Sequence, residues 1–319
     1  PIPSHPVHPV NSRLSERYSF PPHQRPEAGD VPGFVAVDQG GVVGAAVAAV
    51  VGEEVGDGLA GAEPAVDGFR QPVFALDHDI QNTAEDNLRK YRSIEAFAKE
   101  HGIDFYPAGS GIGHQLMVEM GYVLPGSLCV ASDSHSNMYG ALGALGTPVV
   151  RTDAAAVWAT GEFWWQIPRT VQVVLEGTLA DGVTGKDVII TLCGLYNKEE
   201  VLNAVVEFSG PGVAALSMDE RLAIANMTTE WGALAGWFPV DGITIGYLRE
   251  RLRTLRAHGA PRFGESDLAA WTERPPRPDS DASYAARIVL DLAQVTPHVS
   301  GPDTVQVMAS LAESEPSKI

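Results

Sequence analysis

Cysteine is nearly absent: two occur in 319 residues. Cys129 and Cys193 stand in apolar surroundings with no CxxC or Cys/His spacing, so a disulfide framework and a thiolate metal site are excluded, and both read as small core residues suited to a reducing compartment. Basic residues are also scarce, 22 Lys and Arg against 40 Asp and Glu, a formal net charge of -18. That balance argues against nucleic acid, whose phosphates demand a basic surface, and against an anionic membrane face. A small anionic substrate is still allowed, because a local cluster of cations and amide dipoles suffices to bind it. No run is apolar enough to span a bilayer; the longest, 40–51, is short and made of Gly, Ala and Val. The first 30 residues have no apolar stretch of the kind a secretory signal needs. Arg13 and Arg17 among serines suggest a transit peptide, while the prolines and Glu16 speak against one. Large side chains and any regular period are missing from 1–68, where Pro3, Pro6, Pro9, Pro21, Pro22, Pro26 and Pro32 remove backbone donors. Little there can offset the entropy of ordering, so 1–68 is expected to be poorly ordered and without regular structure.

What the chain does contain, 45% hydrophobic and 19% charged residues, is enough for a substantial core and more than one domain. From Phe69 onward strands and helices alternate, which predicts an α/β fold with mainly parallel sheets. Val73 to Leu76 reads as a buried strand. A helix follows with Asn82 or Thr83 as its N-cap, Glu85 and Asp86 in its first turn, and Leu88, Tyr91, Ile94, Phe97 and Ala98 on one face. Ile103 to Tyr106 and Leu128 to Ala131 are further strands, and Asp153 to Thr160 reads as a helix with Trp158, Trp164 and Trp165 supplying core area. The rhythm then repeats: a strand at Val171 to Glu176, a helix opening at Lys186, a strand at Ala204 to Phe208, and helices around Arg221 to Ala225 and Tyr247 to Leu255. Glu265 to Ser283, with Pro275, Pro276 and Pro278, reads as a loop or linker.

Two clusters carry the chemistry. Asp77-His78-Asp79 follows the first strand, and Asp133-Ser134-His135 follows the strand at Leu128 to Ala131. In an open parallel sheet ligands bind beyond the carboxyl ends of such strands. An Asp beside a His fixes the tautomer of the imidazole and stabilises its cation, as proton transfer near neutral pH requires. Polar strand-to-loop turns would account for either cluster alone; the repeated chemistry at equivalent places argues for a site. The glycines at 109, 111 and 113 precede His114 without the spacing of a dinucleotide loop, and fit a close approach to a ligand or simply a tight turn. Asn203 and Glu207 flank Ala204-Val205-Val206, where spacing alone suggests a strand-end surface carboxylate.

These stretches, taken in order, resemble the aconitase superfamily: Phe74 to Asn82, Phe105 to Gly109, Gly113-His114-Gln115, Ser132 to Asn137, Arg151 to Ala154, Gly185-Lys186-Asp187, Val206 to Gly210 and Ala225 to Ala233. Their wording is most similar to that of its fungal homoaconitase branch, over about residues 70–311. The resemblance implies three-layer α/β/α aconitase-type domains, at 69–168 and 169–290, with 291–319 the start of a truncated third. It implies a hydro-lyase that dehydrates and rehydrates a hydroxy-tricarboxylate (homocitrate, homoaconitate, homoisocitrate) in lysine biosynthesis, a mitochondrial location, and a [4Fe-4S] cluster acting as Lewis acid. By motif, Asp77 and His78 protonate the departing hydroxyl and Asp133 with His135 bonds the iron-bound oxygen. His114 is a further active-site histidine, Ser134 contacts substrate, and Asn203 with Glu207 reaches the cluster-bound oxygen.

The departures from that pattern are as clear. No cluster cysteine is present in this chain; they are expected beyond Ile319. Nothing in 1–68 matches the family's N-terminal substrate segment. One expectation is therefore an incomplete homoaconitase-like enzyme whose partner is the missing C-terminal half or a complementary subunit. Others are a non-catalytic shortened paralogue acting as a binding or regulatory module, and a lyase in which His78, His114 and His135 hold one metal directly.

Overall fold

The computed structural model describes residues 46–50, 72–150, 153–154, 157, 166–259, 261–301 and 304–312, with only the backbone described for 46–50. Two sheets, each with all its strands parallel, organise the chain. The first contains β1 (Ala46–Val50), β2 (Val73–Ala75), β3 (Asp104–Tyr106), β4 (Leu128–Ala131) and β5 (Leu145–Pro148), in the order β3-β2-β1-β4-β5. The helices α1 (Glu85–Glu100) and α2 (Gly113–Glu119) lie between β2 and β4 in the chain.

β1 corrects the expectation for the N-terminal stretch. It sits in the middle of the sheet, Ala48 in register with Val73 of β2 and Ala46 with Cys129 of β4. A run of Ala and Val buries little by itself. A strand flanked on both edges has its backbone donors and acceptors satisfied by its neighbours, and that term is invisible in side-chain size. The remainder of 1–68 lies outside the described residues, as do Trp158, Trp164 and Trp165.

α1 buries Ile94 and Ala98 against Phe74, Leu76, Ile103 and Val130. Its N-cap is Ala84 rather than Asn82 or Thr83. Asn82 works one step earlier, its side-chain oxygen accepting from Ala84 N–H at 3.0 Å while its carbonyl accepts from Asn87 at 2.9 Å.

The second sheet, in the order β8-β7-β6-β9, comprises β6 (Thr170–Glu176), β7 (Val205–Ser209), β8 (Ala235–Trp237) and β9 (Ala286–Asp291). Around it run α3 (Gly185–Leu195), α4 (Met218–Met227), α5 (Gly242–Ala257) and α6 (Glu265–Glu273). α3 and α4 both start with a capping box, Thr184 with Asp187 and Ser217 with Glu220, as the sequence S/T-x-x-D/E favours. α6 corrects the linker expected at 265–283. Leu268 is buried and Trp271 meets Phe263 with ring centroids 5.8 Å apart. The prolines at 275, 276 and 278 end that helix without preventing it. Within 291–319, expected to start a third domain, β10 (His298–Ser300) and β11 (Met308–Ser310) pair antiparallel. The pair rests on α3: His298 N–H donates to Asp187 at 2.9 Å, and Gly194 leaves the room that Met308 fills.

One apolar core runs through both sheets, with Tyr139, Leu142, Phe208 and Phe238 fully or almost fully buried in it. The 3-10 segment Ser134–Leu142 is the wedge between them. A Cβ on Gly140 would lie 1.5 Å from the carbonyl oxygen of Gly236, so this approach is open to glycine alone. Phe238 N–H donates to Gly140 O at 2.9 Å, and Asn137 donates to Thr228 at 2.9 Å and to the Ala233 carbonyl at 3.2 Å. The loop that follows Asp133 is thereby anchored by the second sheet.

Candidate active site

Both acid-and-histidine clusters emerge where their strands end. β2 stops at Ala75 and Asp77 follows two residues later; β4 stops at Ala131 and Asp133 follows two residues later. β1 lies between these strands, so the two loops rise side by side from the carboxyl edge of one sheet.

Asp77 is held from the helix side. Its Oδ2 accepts the backbone N–H of Gly113, the first residue of α2, at 2.5 Å, where the orphan amides of a helix start favour an anion. Its Oδ1 lies 2.7 Å from His78 Nδ1. With Nδ1–H donating to that carboxylate, the free nitrogen Nε2 points outward, 3.6 Å from Asp133 Oδ2, on a side chain 56% exposed. Tyr91 of α1 donates its hydroxyl to the His78 carbonyl at 2.5 Å and steadies the loop.

Asp133 is the hub. It caps the 3-10 segment, Oδ1 accepting the N–H of His135 at 2.8 Å, and the same oxygen lies 2.7 Å from His114 Nε2. The His114 hydrogen bond, with lesser help from the His135 amide, outweighs partial burial and lowers the Asp133 carboxyl to about 2. His114 is buried, and its other nitrogen, Nδ1, lies 3.0 Å from the hydroxyl of Tyr139. His135 turns the other way, Nδ1 3.0 Å from Asn226 Oδ1 and Nε2 3.3 Å from Glu230. Five of the six residues expected to act thus form one cluster: Asp77 with His78, and His114 and His135 with Asp133, are joined by hydrogen bonds, and the two groups meet at the 3.6 Å contact of His78 with Asp133. Ser134 stands exposed at its rim.

A folded-state carboxyl pKa below its ordinary value stabilises the fold above that ordinary value, near 3.8, and loses the contribution as pH falls through about 2. The difference amounts to about 2 kcal/mol. We expect Asp133→Asn to reduce urea stability at pH 7 by that order, and the gap from the parent chain to shrink steadily between pH 4 and pH 2. A gap independent of pH would show that the His114 contact does not stabilise the carboxylate.

Two further expected members, Glu207 and Asn203, have other hydrogen-bond partners. Glu207 sits within β7, in register with Gln172 and Trp237, and accepts the hydroxyl of Tyr284 at 2.6 Å. It is buried, which corrects the surface position suggested by spacing; burial raises its carboxyl pKa against the opposing pull of Tyr284. Asn203 is exposed in the left-handed region, φ 53°, its N–H donating to Gly232 O. No hydrogen bond or ion pair among the described residues ties Glu207 or Asn203 to the Asp77–Asp133 network. Conversely, Tyr139, Asn226 and Glu230 went unassigned from sequence. Asn226 and Glu230 fall inside the Ala225 to Ala233 stretch, but nothing in spacing connects them to His135, 91 positions before Asn226.

The arrangement does not suit a metal held directly by the three histidines, because both ring nitrogens of His114 are already engaged, one by Asp133 and one by Tyr139. Among the described residues no group of three His, Cys, Asp or Glu is placed to hold a metal ion. Neither do the thiols fit a [4Fe-4S] cluster. Cys129 and Cys193 are buried in the core, and desolvation pushes their thiols up to about 11 and about 12, away from the thiolate a cluster needs. Anaerobic treatment of the chain with iron and sulfide is expected to yield no stoichiometric cluster by absorption and iron analysis; one stable cluster per chain would contradict this.

Comparison with known proteins bears on what the network serves. The profile of the aconitase family (aconitate hydratase) matches residues 58–319. The chain belongs to the aconitase family. Among curated aconitase-family proteins it is 56% identical over 255 residues to "Homoaconitase, mitochondrial" of Mycosarcoma maydis, covering 76% of this chain and 35% of that protein. To the homoaconitase of Cryptococcus neoformans it is 58% identical over 261 residues, 77% of this chain and 36% of that protein. For Eremothecium gossypii the figures are 56% over 252 residues, 78% and 37%. The chain spans about a third of the length of these relatives. Its parallel sheets agree with membership of the aconitase family.

Proposed function

We propose that this chain carries the proton-transfer part of a homoaconitase-like hydro-lyase, acting by dehydration and rehydration on a hydroxy-tricarboxylate of the homocitrate, homoaconitate and homoisocitrate set. The similarity to mitochondrial homoaconitases supports a mitochondrial location and a place in lysine biosynthesis. The observation that carries the proposal is the continuous set Asp77, His78, Asp133, His114, with one exposed imidazole between two carboxylates.

Elimination of water needs a proton delivered to the departing hydroxyl, and addition needs one taken from water; a single group serves both directions. His78 Nε2 is that group. Asp77 holds the ring by Nδ1, and the two carboxylates stabilise the imidazolium that forms when Nε2 takes a proton. Asp133 is oriented by two donors on Oδ1 and keeps Oδ2 for His78 and the reacting oxygen. Ser134 is placed to contact substrate. Family chemistry adds a [4Fe-4S] Lewis acid; the thiols described do not suit it, and neither that group nor Glu207 and Asn203 is assigned a step.

The test is a graft. Residues 72–312 of this chain, substituted for the matching part of the Mycosarcoma maydis homoaconitase, are expected to support hydration of homoaconitate in the cluster-loaded chimera. A folded, cluster-loaded chimera without turnover would defeat the proposal and favour a non-catalytic binding module.

A further inference from the structure

Tyr139 is a buried polar group at the site that the proton shuttle leaves unused. It lies in the 3-10 segment with none of its surface exposed, its ring edge-on to that of His114 at 5.5 Å between centroids. Its place is fixed from two sides. Gly140 is locked against Gly236, and Gly146 packs so closely that a Cβ there would meet the Tyr139 side chain at 2.8 Å.

We propose that Tyr139 is a positioning residue: its hydroxyl, donating to His114 Nδ1, holds that ring as the neutral Nε2–H tautomer and so clamps Asp133 by Oδ1 with Oδ2 turned to His78. The proposal rests on the hydro-lyase reading above for its consequence, though not for its geometry.

The chain of donors leaves one consistent assignment. Asp133, ionised, can only accept, so the nitrogen facing it at 2.7 Å must carry hydrogen. The phenol is desolvated and faces Asp133, Asp77 and Cys129, all of which raise its pKa, so it stays an O–H. A buried hydroxyl hydrogen requires an acceptor, and Nδ1 at 3.0 Å is one only while it is bare. A second proton on His114 would set two donors against each other and strand the phenol hydrogen in the core. The other charged or titratable groups of the network are His78 beside Asp77 and His135 beside Asp133, and His135 is engaged by Asn226 and Glu230. The mobile proton therefore belongs on His78, the exposed ring, and His114 serves as a fixed N–H donor.

Nitrogen-15 spectra of the histidine-labelled chain test this directly at pH 7 without substrate. The parent is expected to show His114 with a pyrrole-type Nε2 and a pyridine-type Nδ1 shifted by a hydrogen bond. Tyr139→Phe keeps the ring and removes the hydroxyl. It is expected to move Nδ1 to the unbonded end of its range and to speed exchange of Nε2–H with water roughly tenfold, the scale of one hydrogen bond. A parent spectrum with two pyrrole-type nitrogens on His114, or with the hydrogen on Nδ1, overturns the proposal whether or not the variant folds. So does a folded Tyr139→Phe chain whose His114 signals and exchange are unchanged. Because no turnover is measured, an inactive graft removes the hydro-lyase reading and leaves this result standing, while a wrong tautomer with an active graft removes only this inference.

Discussion

His78→Ala in the grafted homoaconitase should lower kcat about a thousandfold while KM changes by no more than about twofold, the range expected when a positioned acid–base group is removed. The argument is that His78 meets the reacting oxygen most strongly while a proton is in flight, so its energy appears in the transition state and hardly in ground-state binding. His78 is more than half exposed, its ring hydrogen-bonded to Asp77 with Asp133 3.6 Å away, so the alanine variant should fold normally. Asp77→Asn is the companion. The amide can turn its NH2 toward His78 Nδ1 and hold the wrong tautomer, so a large fall in kcat is expected from that change also. Initial rates of homoaconitate hydration by the two variants decide the matter. A loss confined to KM would place His78 in substrate binding and remove it from proton transfer.

The largest effect on stability is expected from Asp241→Ala, about 3–5 kcal/mol in urea unfolding, because it leaves a charge uncompensated in the interior. Arg221 has no exposed surface. Its guanidinium grips Asp241 at 2.9 and 2.7 Å and donates to the Val213 carbonyl at 2.8 Å. Asp241 is also the N-cap of α5, accepting from Ile243 and Thr244, so the substitution removes a cap as well. Burial opposes ionisation of Asp241, and Arg221 outweighs it, so the carboxyl lies below its ordinary value. This stabilisation is therefore complete above the ordinary carboxylate range and fades as pH falls below it. The double variant Asp241→Ala, Arg221→Met should recover much of the loss, since an apolar side chain of similar length carries no charge to strand. A single variant within about 1 kcal/mol of the parent would mean that water reaches the guanidinium.

Much of this site was legible because its parts are local. An acidic residue and a histidine at the end of a buried strand can be read from Leu76-Asp77-His78 and from Ala131-Ser132-Asp133-Ser134-His135 without knowing what lies beside them. The α/β alternation after Phe69 was readable for the same reason: period, caps and glycines act over a few residues. The misreadings share an opposite cause. The prolines of 265–283 point to a loop, while α6 is stabilised by Leu268 buried in the core and by Trp271 against Phe263.

By itself the sequence determined the parallel α/β plan, the placing of the two acid-and-histidine clusters at strand ends, and the family to which their wording points. The tertiary structure alone decided that Ala46–Val50 is a central strand, because ladder partners distant in sequence satisfy its backbone. It alone set Glu207 against Tyr284, and joined His114 to Tyr139 and His135 to Asn226 and Glu230. Such pairings depend on distances of about 3 Å between segments far apart in the chain, 91 positions for His135 and Asn226. No local propensity encodes them, since they arise only when segments distant in the chain pack together, as where Gly140 meets Gly236.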